Sequence, residues 1–162
     1  MLAGFFARAS ENNVGMSVTL NFEKPMGEVR VKVKLFNATD EGLVRRGIIK
    51  PDQVRIYETN ALVDTGAVRS VIPAQVRQHL GIELVGERVA EFADGRKDVV
   101  GFTEPIRFEL LGRDTFDDAL VIGDEVLIGQ TILEKTDLLV DCSRNRVIPN
   151  PAHPDQPVNK VK

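Results

Sequence analysis

The stretch that most constrains this 162-residue chain is "EVRVKVKLF", in which Val29, Val31, Val33 and Leu35 alternate without a break with Arg30, Lys32 and Lys34. A period of two sends successive side chains to opposite faces, so the segment specifies a strand with one dry face and one wet face. "MSVTLNF" repeats the pattern with Val18, Leu20 and Phe22. Strands of this kind must pack their dry faces on another layer, which favours a sandwich or a barrel.

The rest of the chain follows suit in short pieces. "QVRIYET" extends again, and "ALV" leads straight into Asp64 as a strand buried on both faces. After Gly66 comes "VRSVIP", short and β-branched, and Pro73 suits the first turn of a helix running through "AQVRQHL" to a capping Gly81. "ERVAEFADGRKDVVGF" places Asp94-Gly95 between two extended runs, the strongest local signal for a β-hairpin. The return strand carries Val100, Phe102, Ile106, Phe108 and Leu110 on one face and Thr103, Arg107 and Glu109 on the other, with Pro105 bending it or marking an edge. "FDDALVIG" and "EVLIG" add two short strands, Gly129 opens a second helix of about two turns, and "LLVDCSRNRVIP" turns back on itself around Ser143 to Asn145. Between Asn37 and Pro51 turn residues flank a short apolar cluster, which predicts a long connection with room for one helical turn.

These elements predict one mostly β domain over 16–149, largely antiparallel, with one or two short helices. Residues 1–15 lack a sustained period and are expected to form a loose tail. The proline-rich 150–162 are expected to be disordered. Apolar residues at 43% and charged residues at 28% fit a globular chain. A net charge of −3 gives no basic field for a phosphate backbone, so nucleic acid is not an expected partner. "MLAGFFAR" is too short for a signal or membrane segment, and the single Cys142 cannot form an internal disulfide; the expectation is a cytoplasmic protein with no membrane partner.

Chemistry concentrates at "ALVDTGAVRSVIP". "DTG" alone arises by chance in roughly 3% of chains this long. Three preceding apolar residues and a following β-branched strand make that chance about tenfold smaller. A carboxylate at the end of a buried strand is fixed in place, Thr65 can lock the turn through its hydroxyl, and Gly66 lets the backbone pass close to the acid. Two carboxylates sharing a proton act as base and acid for water activation. The sequence offers one such acid, and a twofold axis would bring its twin.

"ALVDTGA" followed by "VIP", the "ADGR" hairpin about thirty residues on, and "EVLIG" before a short helix resemble the retropepsin-like aspartic proteases, closest to their compact bacterial single-domain members. The resemblance runs from about Met26 to Pro149. It implies a closed β-barrel that works as a homodimer on peptide or protein substrates, without metal or cofactor. Asp64 would be the catalytic acid, with Thr65, Gly66 and Ala67 shaping the loop and Thr65 tying the two loops together. Ala93, Asp94, Gly95 and Arg96 would form the tip of a flap over the substrate, and Leu127, Ile128 and Gly129 the second structural motif. Ala67 stands where pepsin-like enzymes often have a hydroxyl residue, so a mildly acidic working pH is expected. One departure stands out, in that the flap carries Arg96, Lys97 and Asp98 where viral flaps are glycine-rich; "NRVIPN" is the C-terminal candidate for the terminal strand that viral dimers interleave.

Plainer roles compete. Asp64 could cap its turn by binding backbone N–H groups, and the same fold without turnover would make a dimeric module that binds extended peptides. Asp141 ends another apolar run but has no glycine after it, and it enters a turn. Cys142 is expected to be a buried apolar thiol. His79 and His153 are isolated and make no metal site. "NAT" at Asn37 to Thr39 fits a glycosylation triplet that matters only in a secreted protein.

Overall fold

The computed structural model describes residues 27–162. The segments 1–15 and "MSVTLNF" lie outside the described residues. Strand β1 (Val29–Asn37) pairs antiparallel with β2 (Ile56–Val63) in the register Val29↔Val63 to Phe36↔Ile56. Its alternation survives intact: Val29, Val31, Val33 and Leu35 are buried while Lys32 and Lys34 are exposed.

β3 (Val71–Ile72) and helix α2 (Ala74–Leu80) follow the Asp64 turn, after a first helix α1 (Ala38–Arg45). The hairpin β4 (Leu84–Glu91) and β5 (Lys97–Thr103) comes next, then β6 (Ile106–Leu110), β7 (Arg113–Asp117), β8 (Leu120–Val121) and β9 (Leu127–Ile128). The chain closes with α3 (Gln130–Thr136) and the hairpin β10 (Leu138–Asp141) and β11 (Arg146–Pro149).

Nine strands form one curled, half-barrel sheet in the order β4-β5-β8-β3-β9-β2-β1-β6-β7. The predicted mostly β class holds, with three short α-helices among the described residues where one or two are expected. Pairing is antiparallel except at two places: β9 runs parallel to β2 (Leu62↔Leu127, Val63↔Ile128) and β8 runs parallel to β3 (Val71↔Leu120, Ile72↔Val121). These parallel ladders bring two distant apolar runs beside the strands that flank Asp64.

A main core gathers the dry faces of β1 and β6 with Ile72, Val76, Leu80, Ile128 and Ile132; Leu35 and Phe108 are wholly enclosed. A second cluster of Leu62, Ala67, Val71, Ala90, Phe92, Val100, Leu120 and Leu127 ties the β4–β5 hairpin to the Asp64 loop. Each Val, Leu, Ile or Phe side chain fully enclosed in this way contributes about 1.5–3 kcal/mol.

The extra helix, α1, replaces the connection expected after Asn37. The Asn37 side chain caps it, its Oδ1 accepting from the Asp40 N–H at 2.9 Å, and its Nδ2 donates to the Leu80 carbonyl at 2.8 Å. Asn37 is 2% exposed, so in this fold it is a structural cap and not a glycosylation acceptor. Asp40 in turn takes a two-pronged bond from Arg55, with Nε and Nη2 both at 2.9 Å; that bond holds its carboxyl below the usual range.

Three other expectations give way. Thr103 is fully buried instead of facing water, because its Oγ1 accepts the Ala119 N–H at 3.1 Å and so has a partner inside. Cys142 is exposed and not a core thiol: it sits in the turn just beyond β10, outside the apolar layer. The proline-rich end is partly fastened. Asp137 accepts from Asn150 Nδ2 at 2.9 Å and the Val158 N–H at 3.0 Å and pairs with His153 Nδ1 at 2.6 Å, while buried Arg113 donates to the His153 carbonyl at 2.6 Å. Among the described residues, no helix is long and apolar enough to cross a membrane.

Candidate active site

Asp64 follows immediately on β2, whose last three residues, Ala61, Leu62 and Val63, are all buried. Its backbone is held by the second motif: the Asp64 N–H donates to the Ile128 carbonyl at 3.0 Å, one step past the parallel pairing of Val63 with Ile128. The carboxylate is half-buried. Its Oδ1 accepts the Gly66 N–H at 2.9 Å, and the Ala67 N–H closes the turn on the Asp64 carbonyl at 3.1 Å.

Gly66 passes close to the acid, as expected: a Cβ there would stand 3.2 Å from Asp64 Oδ1. Thr65 behaves differently within this chain. It is exposed, and among the described residues its hydroxyl makes no hydrogen bond; the turn is locked by the Asp64 carboxylate instead. Ala67 is 3% exposed and packs into the second cluster beside Ala90 and Phe92 of the hairpin. Its carbonyl accepts the Gln130 N–H at 2.7 Å, so the loop also rests on the start of α3.

Gly129 explains how the two motifs fit. A Cβ on it would lie 2.7 Å from both the carbonyl carbon and the oxygen of Arg69 and 2.9 Å from the oxygen of Val68, closer than backbone atoms can accommodate. Its N–H donates to Ser70 Oγ at 3.0 Å. Ser70, 1% exposed, is a structural member of the site that the sequence reading did not single out. The signal was present: a small hydroxyl between Arg69 and two β-branched residues needs a buried partner.

The hairpin turns as predicted. Gly95 sits at φ +85°, its N–H donates to the Phe92 carbonyl at 2.8 Å, and Asp94 Oδ1 accepts the Arg96 N–H at 2.9 Å. The Arg96 guanidinium carbon lies 4.3 Å from the centre of the Phe92 ring. Ala93, Asp94, Gly95 and Arg96 are all exposed. A pocket of about 230 Å³ lies between the loop and the hairpin, lined by Ala67, Val68 and Arg69 on one side and Val89, Ala90 and Glu91 on the other, with Val71 and Leu120 completing it. The lining comes from β4, below the tip.

Acidic groups adjoin Arg69 of the pocket wall. Arg69 Nη2 pairs with Asp118 Oδ1, and the neighbouring Asp117 carboxyl is pushed up chiefly by its burial. Among the described residues, no group of histidine, cysteine and carboxylate side chains is arranged to hold a metal ion. Asp141 binds Ser143 and Arg146 across the β10–β11 turn, a structural role. The sequence matches no protein-family model and no curated protein.

Proposed function

We propose that this chain is one half of a homodimeric aspartic endopeptidase with a retropepsin-like fold, its paired Asp64 carboxylates activating water for attack on a peptide carbonyl. The observation that carries this reading is the mounting of Asp64. The carboxylate sits at the end of a buried strand, on a loop held by Ile128, Gly129 and Ser70, and the next residues of that loop, Ala67 to Arg69, line an apolar pocket whose other wall is β4; Asp64 itself is not in the lining. A carboxylate held only to cap a turn would not need a second strand and a helix start behind it.

In the proposed dimer, exposed Thr65 is free to bond across the axis, and the β10–β11 hairpin is the candidate for the interleaved terminal sheet. A pair sharing one proton gives a bell-shaped pH dependence whose limbs belong to the pair. With Ala67 in place of a hydroxyl residue, the optimum falls in the mildly acidic range. The lone cysteine suits a cytoplasmic setting. The test is hydrolysis of a peptide pool by the wild type and by Asp64→Asn, together with sedimentation at micromolar concentration. Equal cleavage by both, or a monomeric wild type, contradicts the reading.

A second reading, a dimeric peptide-binding module without turnover, is favoured by one feature. Asp64 Oδ1 is already engaged by Gly66, and the hairpin tip is charged and braced by Arg96 on Phe92. Affinity without turnover identifies it.

A further inference from the structure

Arg69 leaves the Asp64 loop from a fixed point, because its carbonyl is pressed against Gly129. Its side chain lines the pocket under the hairpin, yet its guanidinium is only partly satisfied. Nη2 pairs with Asp118, whereas Nε is closed to solvent and has no hydrogen-bond partner among the described residues. Nη1 also makes no hydrogen bond among the described residues and, unlike Nε, is not sealed, so it is the donor left open to a ligand.

A second cation stands nearby. The Arg88 guanidinium carbon is 3.8 Å from the centre of the Phe102 ring, and the Arg69 guanidinium carbon is 5.9 Å from the same centre. Two guanidiniums therefore converge on one aromatic ring. Arg88 Nη1 donates to the Glu87 carbonyl at 2.8 Å, and among the described residues Arg88 forms no ion pair. The other acid on the pocket wall, Glu91, has its own partner in Lys97 Nζ at 3.9 Å. Asp118 pairs with Arg69, and the neighbouring Asp117 also feels the Arg69 charge.

We propose that Arg69, backed by Arg88, is the specificity-determining residue of this cleft and recognises a carboxylate on an extended peptide lying between the Asp64 loop and the hairpin. The inference rests on the cleft being a peptide site. The chemistry is that of the guanidinium Nη1, whose N–H groups can donate charge-assisted hydrogen bonds to a carboxylate oxygen while Nη2 keeps Asp118. The carboxylate can come from a Glu or Asp side chain or from a peptide C-terminus.

The test is equilibrium binding of fluorescent apolar octapeptides to the Asp64→Asn protein, with one Glu or its Gln twin moved through every position and each peptide made with a free or an amidated C-terminus. The expected result is binding about tenfold tighter for the acid at one position, or for the free C-terminus, than for the neutral twin. The preference disappears in Arg69→Ala, is partly kept in Arg69→Lys, and shrinks in high salt. Arg88→Gln weakens it as well and reports on the site should Arg69→Ala fail to fold. Equal binding of acidic and neutral twins, or a preference that survives Arg69→Ala, overturns the inference. Wild-type turnover is read separately: selective binding with no cleavage contradicts the endopeptidase and leaves the carboxylate site standing, whereas cleavage without selectivity does the reverse. No binding of any peptide contradicts both.

Discussion

Gly129 lies against the backbone of Arg69 so closely that a Cβ would stand 2.7 Å from the Arg69 carbonyl carbon and oxygen. Neither atom belongs to a side chain that could swing away, so Gly129→Ala must displace either the α3 start or the Asp64 loop. The expected cost is about 1–3 kcal/mol, measured by urea denaturation. Gly95→Ala serves as comparison. Nothing lies within 4 Å of a Cβ there, and its φ of +85° leaves only backbone strain, about 1 kcal/mol. Equal costs at the two positions would show that the close approach does not matter.

Ser70 gives a second, independent handle on the same joint. Its Oγ accepts the Gly129 N–H at 3.0 Å in a place closed to water. Ser70→Ala leaves that N–H unpaired, and the expected loss is about 1–3 kcal/mol. Hydrogen exchange at Gly129 should accelerate while exchange in β1 keeps its rank order. An unchanged Gly129 exchange rate would mean that the hydroxyl contributes nothing to the joint.

Asp137 predicts a pH dependence confined to strong acid. The Asn150 amide, the Val158 N–H and His153 together hold its carboxyl down to about 2. A carboxyl with a lower pKa in the folded than in the unfolded state stabilises the fold when ionised. That contribution is complete above the unfolded value of about 3.9 and is lost as the pH falls through about 2. The urea midpoints of wild type and Asp137→Asn should therefore differ by a constant amount above about pH 5 and converge between about pH 4 and about pH 2. A gap that stays constant down to about pH 2 contradicts the clasp.

Much of this layout was legible in the sequence, and the exceptions share a cause. The alternation at Val29 to Leu35 specified β1, Pro73 and Gly81 bracketed α2, and Asp94-Gly95 set the hairpin; in each the information is local and backbone-driven. Helix α1 was missed because its cap, Asn37, and its acid, Asp40, find partners at Leu80 and Arg55, far along the chain. Thr103 and Ser70 were missed for the same reason: a buried hydroxyl is acceptable only where a distant backbone N–H meets it, and periodicity carries no trace of that meeting. At the site, Asp64, Gly66 and the Leu127 to Gly129 motif were visible as a pattern. The role of Arg69 was not, since it depends on Asp118 and Phe102.

The central claim is that Asp64 is one of a catalytic pair. The most direct measurement is mass spectrometry of a mixed peptide pool incubated with wild type and Asp64→Asn from about pH 4 to about pH 7. The account predicts new internal cleavage products with the wild type, most abundant at mildly acidic pH and falling off on both sides, and a loss of about a hundredfold or more in Asp64→Asn. Cleavage by Asp64→Asn at the wild-type rate, or a pool left intact by the wild type at every pH, would contradict it.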